Sequence, residues 1–535
     1  MSADTLVFDM SSMSEGTPSV FVRKDWLSIL DNQNQNYQGN QSVIDTSQLA
    51  NSNKYMNYRE AYLTIPMIMT LTQSIGSAQA YDPTTPASAQ GTGSPDYIMG
   101  LKNWYGSIVH SFTLDYNGTT IIQQTPYCGL WNTFKLMTSL SYNDIIVNGA
   151  ELGFYPDDAT AIRYDRAGTT GGIGTENNKN AGAFPVVVGA FNAYNAYNSG
   201  LLLRQQGWNF DPEGVVGNNT TYASGAPADQ TPATSVNLTS TSNLNLLWKS
   251  YVFNKVASAN APTTTTAVVQ VCITAQVWLK HLHSFFERVP LLKGVFMKMT
   301  LNLNQSSVAF TTTAGVFSNV AVSSPLGGSI ILNIPAYTFN PVFETSYLSS
   351  PVKKIVYTDI YQYQIVNQIT AGQTFNNLIT NGIANIKSVL VLPFYQSAWN
   401  GGLAPIQSPF DTAGAGTTSP LCLLTQFNIQ VSGQNAIYNT ERYSYEQFLN
   451  QLAGCNSVNG DMTDGLTSGL IDQKQFETGY CYYYVNVGRM LPVEEAVPKS
   501  VNVLGTNMSS KAIDLFVFIE YGVEVSVDIL TGARV

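Results

Sequence analysis

The sequence FTLDYNGTTII (residues 112–122) recurs in pattern about 315 residues later as FNIQVSGQNAI (residues 427–437). In both stretches apolar residues alternate with polar ones, a two-residue turn follows (Asn117-Gly118 or Ser432-Gly433), and a second apolar segment begins. Such alternation is typical of a half-buried strand, and these turn residues tolerate the positive φ angles of a tight hairpin. The sequence therefore predicts the same β-hairpin in each half of the chain.

A helix with the same spacing follows each predicted hairpin. Apolar residues repeat at i, i+4 and i+7 in both halves, as Leu130, Phe134 and Met137 and as Tyr445, Leu449 and Leu452. This spacing places the apolar side chains on one face of a helix. Two hairpin-then-helix units in one chain predict two copies of one β-domain.

Alternating segments elsewhere predict long antiparallel strands with one buried face. The clearest are residues 61–71, 269–277, 297–303 and 515–529. Pro66 places the first of them at a sheet edge or a bulge, because proline has no N–H to donate. Helices are few, and the best candidates are Trp131–Leu140, Leu279–Arg288 and Tyr445–Leu452. Many strands, few helices and no βαβ pattern predict an all-β sandwich or jelly roll.

The first half is predicted to contain an insertion. Matching Val271 with Cys481 and Lys298 with Leu515 lowers the offset between the halves to about 210–217, so about 100 extra residues lie within 141–268. Their composition is loop-like, and we expect them to project from the outer end of the first sandwich. The predicted organisation is an N-terminal arm and first strand at 1–40, a first jelly roll at 41–310 with the insertion at about 155–265, a linker at 311–335 and a second jelly roll at 336–535.

The composition favours a protein that binds other proteins. Charged residues make up 11% of the 535 residues, against roughly 25% in a typical soluble domain. Neutral polar residues and 30 tyrosines take their place, which is typical of a buried interface, although an unusually neutral monomer surface is the alternative. The net charge of −10 argues against direct binding of nucleic acid, which needs a basic surface.

Cysteine spacing and the N-terminal sequence bear on the compartment. The five cysteines stand far apart and form no C-x-x-C pair, which indicates a reducing environment and not a disulfide framework. The N-terminal residues lack the basic and apolar regions of a signal peptide. The longest apolar stretches are too short to span a bilayer, so we expect no membrane span.

Candidate catalytic and metal-binding motifs are weak. His281 and His283 would point to different faces of a helix, so we expect surface or capping histidines and not a metal site. The glycine run 171–174 lacks the third glycine of a dinucleotide loop, and residues 461–465 lack the alternating acids and the terminal glutamate of a calcium loop. The adjacent acids Asp157-Asp158 and Glu494-Glu495 are typical of solvated charges. We therefore expect no catalytic, cofactor-binding or metal-binding residues, and no enzyme.

Several motifs, in order along most of the chain, resemble one viral family. They include residues 45–63, residues 279–304 with Phe285-Phe286-Glu287, residues 408–413 (SPFDTA), residues 466–471 (LTSGLI) and residues 518–533. Together they are similar to the major capsid proteins of polinton-like viruses and their virophage relatives, within the double jelly-roll lineage. The similarity leaves out the predicted insertion.

The resemblance implies a fold and a function. The expected fold is all-β, with two tandem eight-stranded jelly rolls, short helices and a long loop insertion in the first. The expected function is structural: pseudo-hexagonal homotrimers that tile an icosahedral shell around a double-stranded DNA genome. The implied partners are neighbouring trimers and penton and minor or cement capsid proteins, and the implied location is the virion, assembled inside the host cell.

Two other classes of protein remain as alternatives. A jelly-roll carbohydrate-binding adhesin or spike would need a secretion signal, or clustered exposed aromatic residues with calcium-binding acids. A cupin-like metalloenzyme would need a histidine-rich strand motif in each half, which three histidines cannot supply.

Overall fold

The fold is seen in a computed structural model. It describes the following residues: 19–32, 41–49, 52–75, 100–123, 125–157, 250–256, 266–304, 308–311, 317–323, 329–395, 410–411, 418–420, 422–438, 442–456, 469–478, 480–488, 497–509, 512–529 and 533–534.

Most of the described residues lie in antiparallel strands. The strands of the first half are β1 (Phe21–Leu30), β2 (Gln41–Asp45), β3 (Tyr55–Met56), β4 (Tyr62–Ile75), β5 (Gly100–Leu101), β6 (Val109–Tyr116), β7 (Thr119–Ile122), β8 (Ser250–Val256), β9 (Thr266–Trp278), β10 (Leu292–Lys293), β11 (Met297–Leu303), β12 (Val308–Thr311), β13 (Phe317–Ser323) and β14 (Ile331–Phe339). Those of the second half are β15 (Val352–Ile369), β16 (Thr374–Ile383), β17 (Ile386–Tyr395), β18 (Phe410–Asp411), β19 (Leu424–Val431), β20 (Gln434–Asn435), β21 (Tyr483–Asn486), β22 (Lys499–Asn507) and β23 (Ile513–Asp528).

Helices are short and connect the strands. They are α1 (Cys128–Ser139), α2 (Tyr142–Leu152), α3 (Leu279–Leu282), α4 (Phe285–Arg288), α5 (Pro341–Leu348), α6 (Tyr445–Asn456) and α7 (Gln473–Thr478). The predicted helix Leu279–Arg288 is thus two one-turn helices, because His283 has an extended backbone between them. Helix α6 continues past Leu452, where the sequence predicted its end.

The two halves share one sheet topology. Strands β1, β14, β4 and β9 are neighbours in the larger sheet of the first half, and β15, β23, β17 and β21 take the same order in the second. The smaller sheets have the orders β2-β11-β6-β7 and β16-β22-β19-β20. Along the chain, the strands of both halves alternate between their two sheets in the same sequence. This alternation is that of a jelly roll.

The repeated hairpins are confirmed down to their turns. β6 pairs with β7 and β19 with β20. Both turn residues have positive φ in each case: 46° and 80° at Asn117 and Gly118, and 50° and 80° at Ser432 and Gly433. A turn with two positive φ angles matches the right-handed twist of the paired strands. The predicted helices follow as α1 and α6.

The predicted linker at residues 311–335 is wrong, because most of its described part belongs to the first sheet. β13 pairs with β4, and β14 lies between β1 and β4. Leu332 and Ile334 are fully buried, so β14 completes the first core. The connection between the halves is α5, which follows β14 directly.

The match of Lys298 with Leu515 is also wrong. β11, which contains Lys298, takes the place of β22 in the sheet order, and Leu515 lies on β23, whose counterpart is β14. Most of the predicted insertion (158–249 and 257–265) lies outside the described residues, and so do any aromatic contacts within it. Its end is a strand: β8 pairs with β9.

The position of Pro66 agrees with its chemistry. On one side β4 pairs with β9 along nearly its whole length. On the other side it pairs with β14 through residues 62–64 and with β13 through residues 70–75. Pro66 lies between those two stretches, at a gap in the pairing on that side of β4, and proline is tolerated in a strand where no ladder hydrogen bond is needed.

We predict that Gly433→Ala destabilises the second half through backbone strain alone. No heavy atom lies within 4 Å of an added Cβ, but the φ of +80° is costly for any other residue, by about 1–2 kcal/mol. Gly382→Ala, on β16, is the matched control, because its Cβ also enters open space without a left-handed φ. Urea unfolding followed by tryptophan fluorescence should show a lower midpoint for Gly433→Ala only. Equal midpoints for the two variants would contradict the prediction.

Candidate assembly interface

Helix α1 and the residue before it form an aromatic contact between the two halves. Three residues spaced by four positions contact β23 of the second half: Tyr127 packs 5.0 Å from the Phe516 ring, and Trp131 packs 6.3 Å from Phe518. The third, Lys135, places its Nζ 3.7 Å from a carboxylate oxygen of Glu520. The spacing i, i+4, i+8 follows one face of a helix. Helix α1 of the first half therefore lies on the outer face of the second half's larger sheet.

Phe134 extends this contact across the sheet. Its ring lies 5.3 Å from the rings of both Tyr482 and Tyr484, stacked on the latter. Tyr483, between them, points into the second core and packs 4.8 Å from Phe427. The three consecutive tyrosines are thus divided between the interface and the core. Each aromatic side chain removed from water here contributes about 1.5–3 kcal/mol.

The second half's larger sheet is buried on both faces as a result. One row across its four strands on the α1 side is Gln362, Phe518, Leu390 and Tyr484. Phe518, Leu390 and Tyr484 are at most 1% exposed. On β23 the run Leu515–Glu520 is buried without interruption. A sheet covered on both sides needs such a continuous apolar run in place of alternation.

Hydrogen bonds to backbone groups fix the orientation of the halves. The Tyr357 hydroxyl donates to the Ile121 carbonyl at 2.5 Å, and Thr125 donates to Ile360 O at 2.8 Å. Ser284 donates to Thr358 O at 2.5 Å. β5 of the first half and β18 of the second form a separate two-stranded sheet. Each bond satisfies a group that would otherwise be buried unpaired.

His283 belongs to this contact and not to a metal site. Its Nδ1 accepts the Phe285 backbone N–H at 3.2 Å, so Nε2 carries the proton and donates to Asp359 Oδ1 at 3.2 Å. The expected capping role is confirmed, but the expected surface position is wrong: His283 is buried between the halves. Asp359 also accepts a hydrogen bond from the Tyr521 hydroxyl at 3.2 Å.

The other histidines are positioned by aromatic neighbours. His281 packs edge-on against Trp104, and burial, with a smaller contribution from Lys280, lowers its pKa to about 4. His110 packs against Tyr127, and burial lowers its pKa too. Both histidines therefore pack as neutral imidazoles against aromatic rings.

Asp157, expected to be a solvated charge, is buried. Its carboxylate accepts the Thr418 backbone N–H at 3.0 Å, and its backbone carbonyl accepts the Tyr480 hydroxyl. It therefore ties the end of α2 to two segments of the second half. Four other parts of the sequence predictions lie outside the described residues: Asp158, the glycine run 171–174, residues 461–465 and the pair Glu494-Glu495.

The described part of the chain contains no cluster of three or more His, Cys, Asp or Glu residues able to hold a metal ion. A cleft of about 240 Å³ between α1 and β15 is lined by Lys135, Lys280, His281 and Glu287 among others. Lys135 is paired with Glu520 there.

Burial raises the pKa of the Cys128 thiol to about 12, which leaves it protonated and unreactive at neutral pH. Within the described helices, none is long and apolar enough to cross a membrane.

We predict that Phe134→Ala uncouples the halves. Loss of a buried phenylalanine costs about 3–5 kcal/mol, and here the loss falls on the contact between the domains. Phe112→Ala, a buried change whose ring packs on Phe286 inside the first half, is the control. Calorimetry should show two separated transitions for Phe134→Ala, but the wild-type pattern at lower temperature for Phe112→Ala. A single transition for Phe134→Ala would refute the assignment.

Comparison with known proteins agrees with this architecture. No protein-family model matches the chain, and no curated protein matches it in sequence. A chain of the Sputnik virophage, solved by cryo-EM, is 11% identical, with a TM-score of 0.50 over 98% of this chain and 90% of that one. The mavirus major capsid protein is 8% identical, with a TM-score of 0.48 over 98% of this chain and 92% of its own.

Of these two similar structures, the mavirus protein is a major capsid protein. At 11% identity, the structural similarity to the Sputnik virophage chain is evidence for the fold. It confirms the all-β class and the resemblance predicted from the sequence. The chain has the double jelly-roll fold of viral major capsid proteins.

Proposed function

We propose that the chain is a major capsid protein whose homotrimers tile an icosahedral shell around a double-stranded DNA genome. The observation that carries the proposal is the contact between the halves: one jelly roll presents a helix that covers the outer sheet of the next. A contact of this head-to-tail kind, repeated around an axis, closes a ring. Three chains then supply six similar units, with a pseudo-hexagonal outline.

The shell has partners besides the chain itself. Neighbouring trimers, penton proteins and minor or cement proteins complete it, and its location is the virion, assembled inside the host cell. The low charge supports such packing, because removing a neutral polar group from water costs less than removing a charge. The predicted insertion, at the outer end of the first jelly roll, faces away from the genome in this arrangement.

A carbohydrate-binding adhesin is the alternative. Such a protein would present neighbouring exposed aromatic rings together with calcium-binding acids. The described residues include neighbouring exposed rings, as at Tyr361 and Tyr363 on β15, but no group of three or more His, Cys, Asp or Glu residues able to hold a metal ion. The described part of the chain therefore favours the capsid proposal.

We predict a stable homotrimer. Three chains of 58.2 kDa have a mass of about 175 kDa (three times 58.2). Neutral contacts are little affected by ionic screening, so the trimer should persist in 1 M salt, as measured by sedimentation equilibrium. A monomer at micromolar concentration and ordinary salt would end the proposal.

We predict that the purified protein does not bind duplex DNA at about 150 mM salt. The net charge of −10 repels the phosphate backbone, so a separate basic protein is needed to condense the genome. Fluorescence anisotropy with a labelled duplex measures this. Submicromolar affinity would show that the shell holds the genome itself.

A further inference from the structure

We propose that the outer face of the first half's larger sheet is the docking surface for α6 of a second copy of this chain. We call this surface the open face and define it by Trp26, Ser28, Leu30, Tyr62 and Trp278. The proposal rests on the proposed homotrimer and names the two surfaces that meet in it.

The internal contact supplies the template. The open face belongs to the strands β1, β14, β4 and β9, whose counterparts β15, β23, β17 and β21 carry the face covered by α1. One row of paired residues crosses the four strands of the first half: Ser28, Asn333, Tyr62 and Trp278. The equivalent row in the second half is Gln362, Phe518, Leu390 and Tyr484. One chain thus has two equivalent sheet faces, of which its own α1 covers the second.

The open face is aromatic, and its accessible part lies on β1, because Tyr62 and Trp278 are half-buried and Trp278 Nε1 donates to Glu151 of α2 at 2.9 Å. Trp26 is 50% exposed and Leu30 is 59% exposed. The Tyr62 ring lies 5.7 Å from Trp26 and 5.2 Å from Trp278, so the three rings form a continuous row across the sheet. Exposed tryptophan with a neighbouring tyrosine is typical of the residues that carry most of the energy of a protein interface.

Helix α6 is the counterpart of α1 and carries the matching exposed face. The residues that contact β23 are Tyr127, which precedes α1, and Trp131 and Lys135 on α1. At the offset of about 315 set by the two hairpin turns, their counterparts are Arg442, Glu446 and Asn450, and all three are exposed. Trp131, which is buried against the second half, therefore has an exposed counterpart, Glu446, in the second half.

The loop before α6 gives an independent indication. Tyr438 is fully exposed, and its counterpart, Gln123, lies between Ile121 and Thr125. Those two residues form the hydrogen bonds to Tyr357 and Ile360 of β15. A fully exposed tyrosine at this position fits a contact with β1 of another copy, since β1 is the counterpart of β15.

The partner that binds the open face is a second copy of this chain, because α6 and the open face are the counterparts of α1 and the sheet face that α1 covers. The contact between chains is weaker than the contact within one chain. Glu446 and Asn450 stand where α1 has Trp131 and Lys135, so the contact between chains is more polar than the contact within one. The chain can then fold as a unit before it associates. The same head-to-tail step, taken three times, uses every open face and every α6.

The test compares two exposed apolar residues of similar exposure. Trp26→Glu places a charge in the open face, whereas Leu378→Glu places one on β16, where Leu378 is 54% exposed and the template predicts no contact. Sedimentation equilibrium should show wild type and Leu378→Glu as trimers, with the dissociation constant of Trp26→Glu raised at least about tenfold. Circular dichroism and thermal melting check that each variant is folded.

The outcomes separate the two proposals. A monomeric wild type contradicts the proposed trimer. A trimeric wild type with an equally stable Trp26→Glu trimer overturns the open face as the docking surface. Tyr438→Glu, on the α6 side, tests the same contact at a fully exposed position that the fold does not need, so it decides the question where Trp26→Glu fails to fold. It should weaken the trimer as Trp26→Glu does, and an unchanged trimer would overturn the assignment.

Discussion

The packing of α1 on the outer face of the second half's larger sheet is the contact on which the architecture depends. An antiparallel sheet usually leaves one face to solvent, and its strands then alternate apolar and polar residues. Here β23 is apolar on both faces, and α1 removes the outer one from water. Without α1, the sheet would expose an apolar surface that includes Phe516, Phe518, Leu390 and Tyr484. An exposed apolar patch of that kind promotes non-specific association and aggregation. The two jelly rolls therefore need each other as well as their own cores.

The polar groups of the contact give it a single geometry. Hydrophobic packing alone tolerates sliding, whereas hydrogen bonds fail when a donor moves by an ångström or two. Tyr357, Ser284 and His283 each reach across the junction to a defined partner, and Glu520 is held by Ser388 at 2.7 Å as well as by Lys135. A fixed angle between the halves is what the proposed shell requires, because an error in that angle would be repeated at every copy.

Repetition within one chain also separates strong contacts from weak ones. Duplicated domains start with equivalent surfaces, and substitution can then make one pair permanent and leave the other for association. Trp131 and Phe134 on α1 are aromatic, while their counterparts Glu446 and Leu449 on α6 are acidic and aliphatic. The difference fits a chain that folds first and associates afterwards.

The sequence by itself determined the local elements and their duplication. Two-residue turns, alternating strands and the i, i+4, i+7 helices depend on neighbours along the chain, so the hairpins, α1, α6 and the all-β class could be predicted from it. It did not show that β13 and β14 belong to the first sheet, because their Ser-, Thr- and Gly-rich surroundings resemble a loop and their partners lie far away in sequence. Nor did it place His283 and Asp157 in the interface. Those positions were decided by the tertiary structure, because burial of a polar side chain depends on which distant surface covers it. The continuous apolar run of β23 was the one visible indication that a second surface was there.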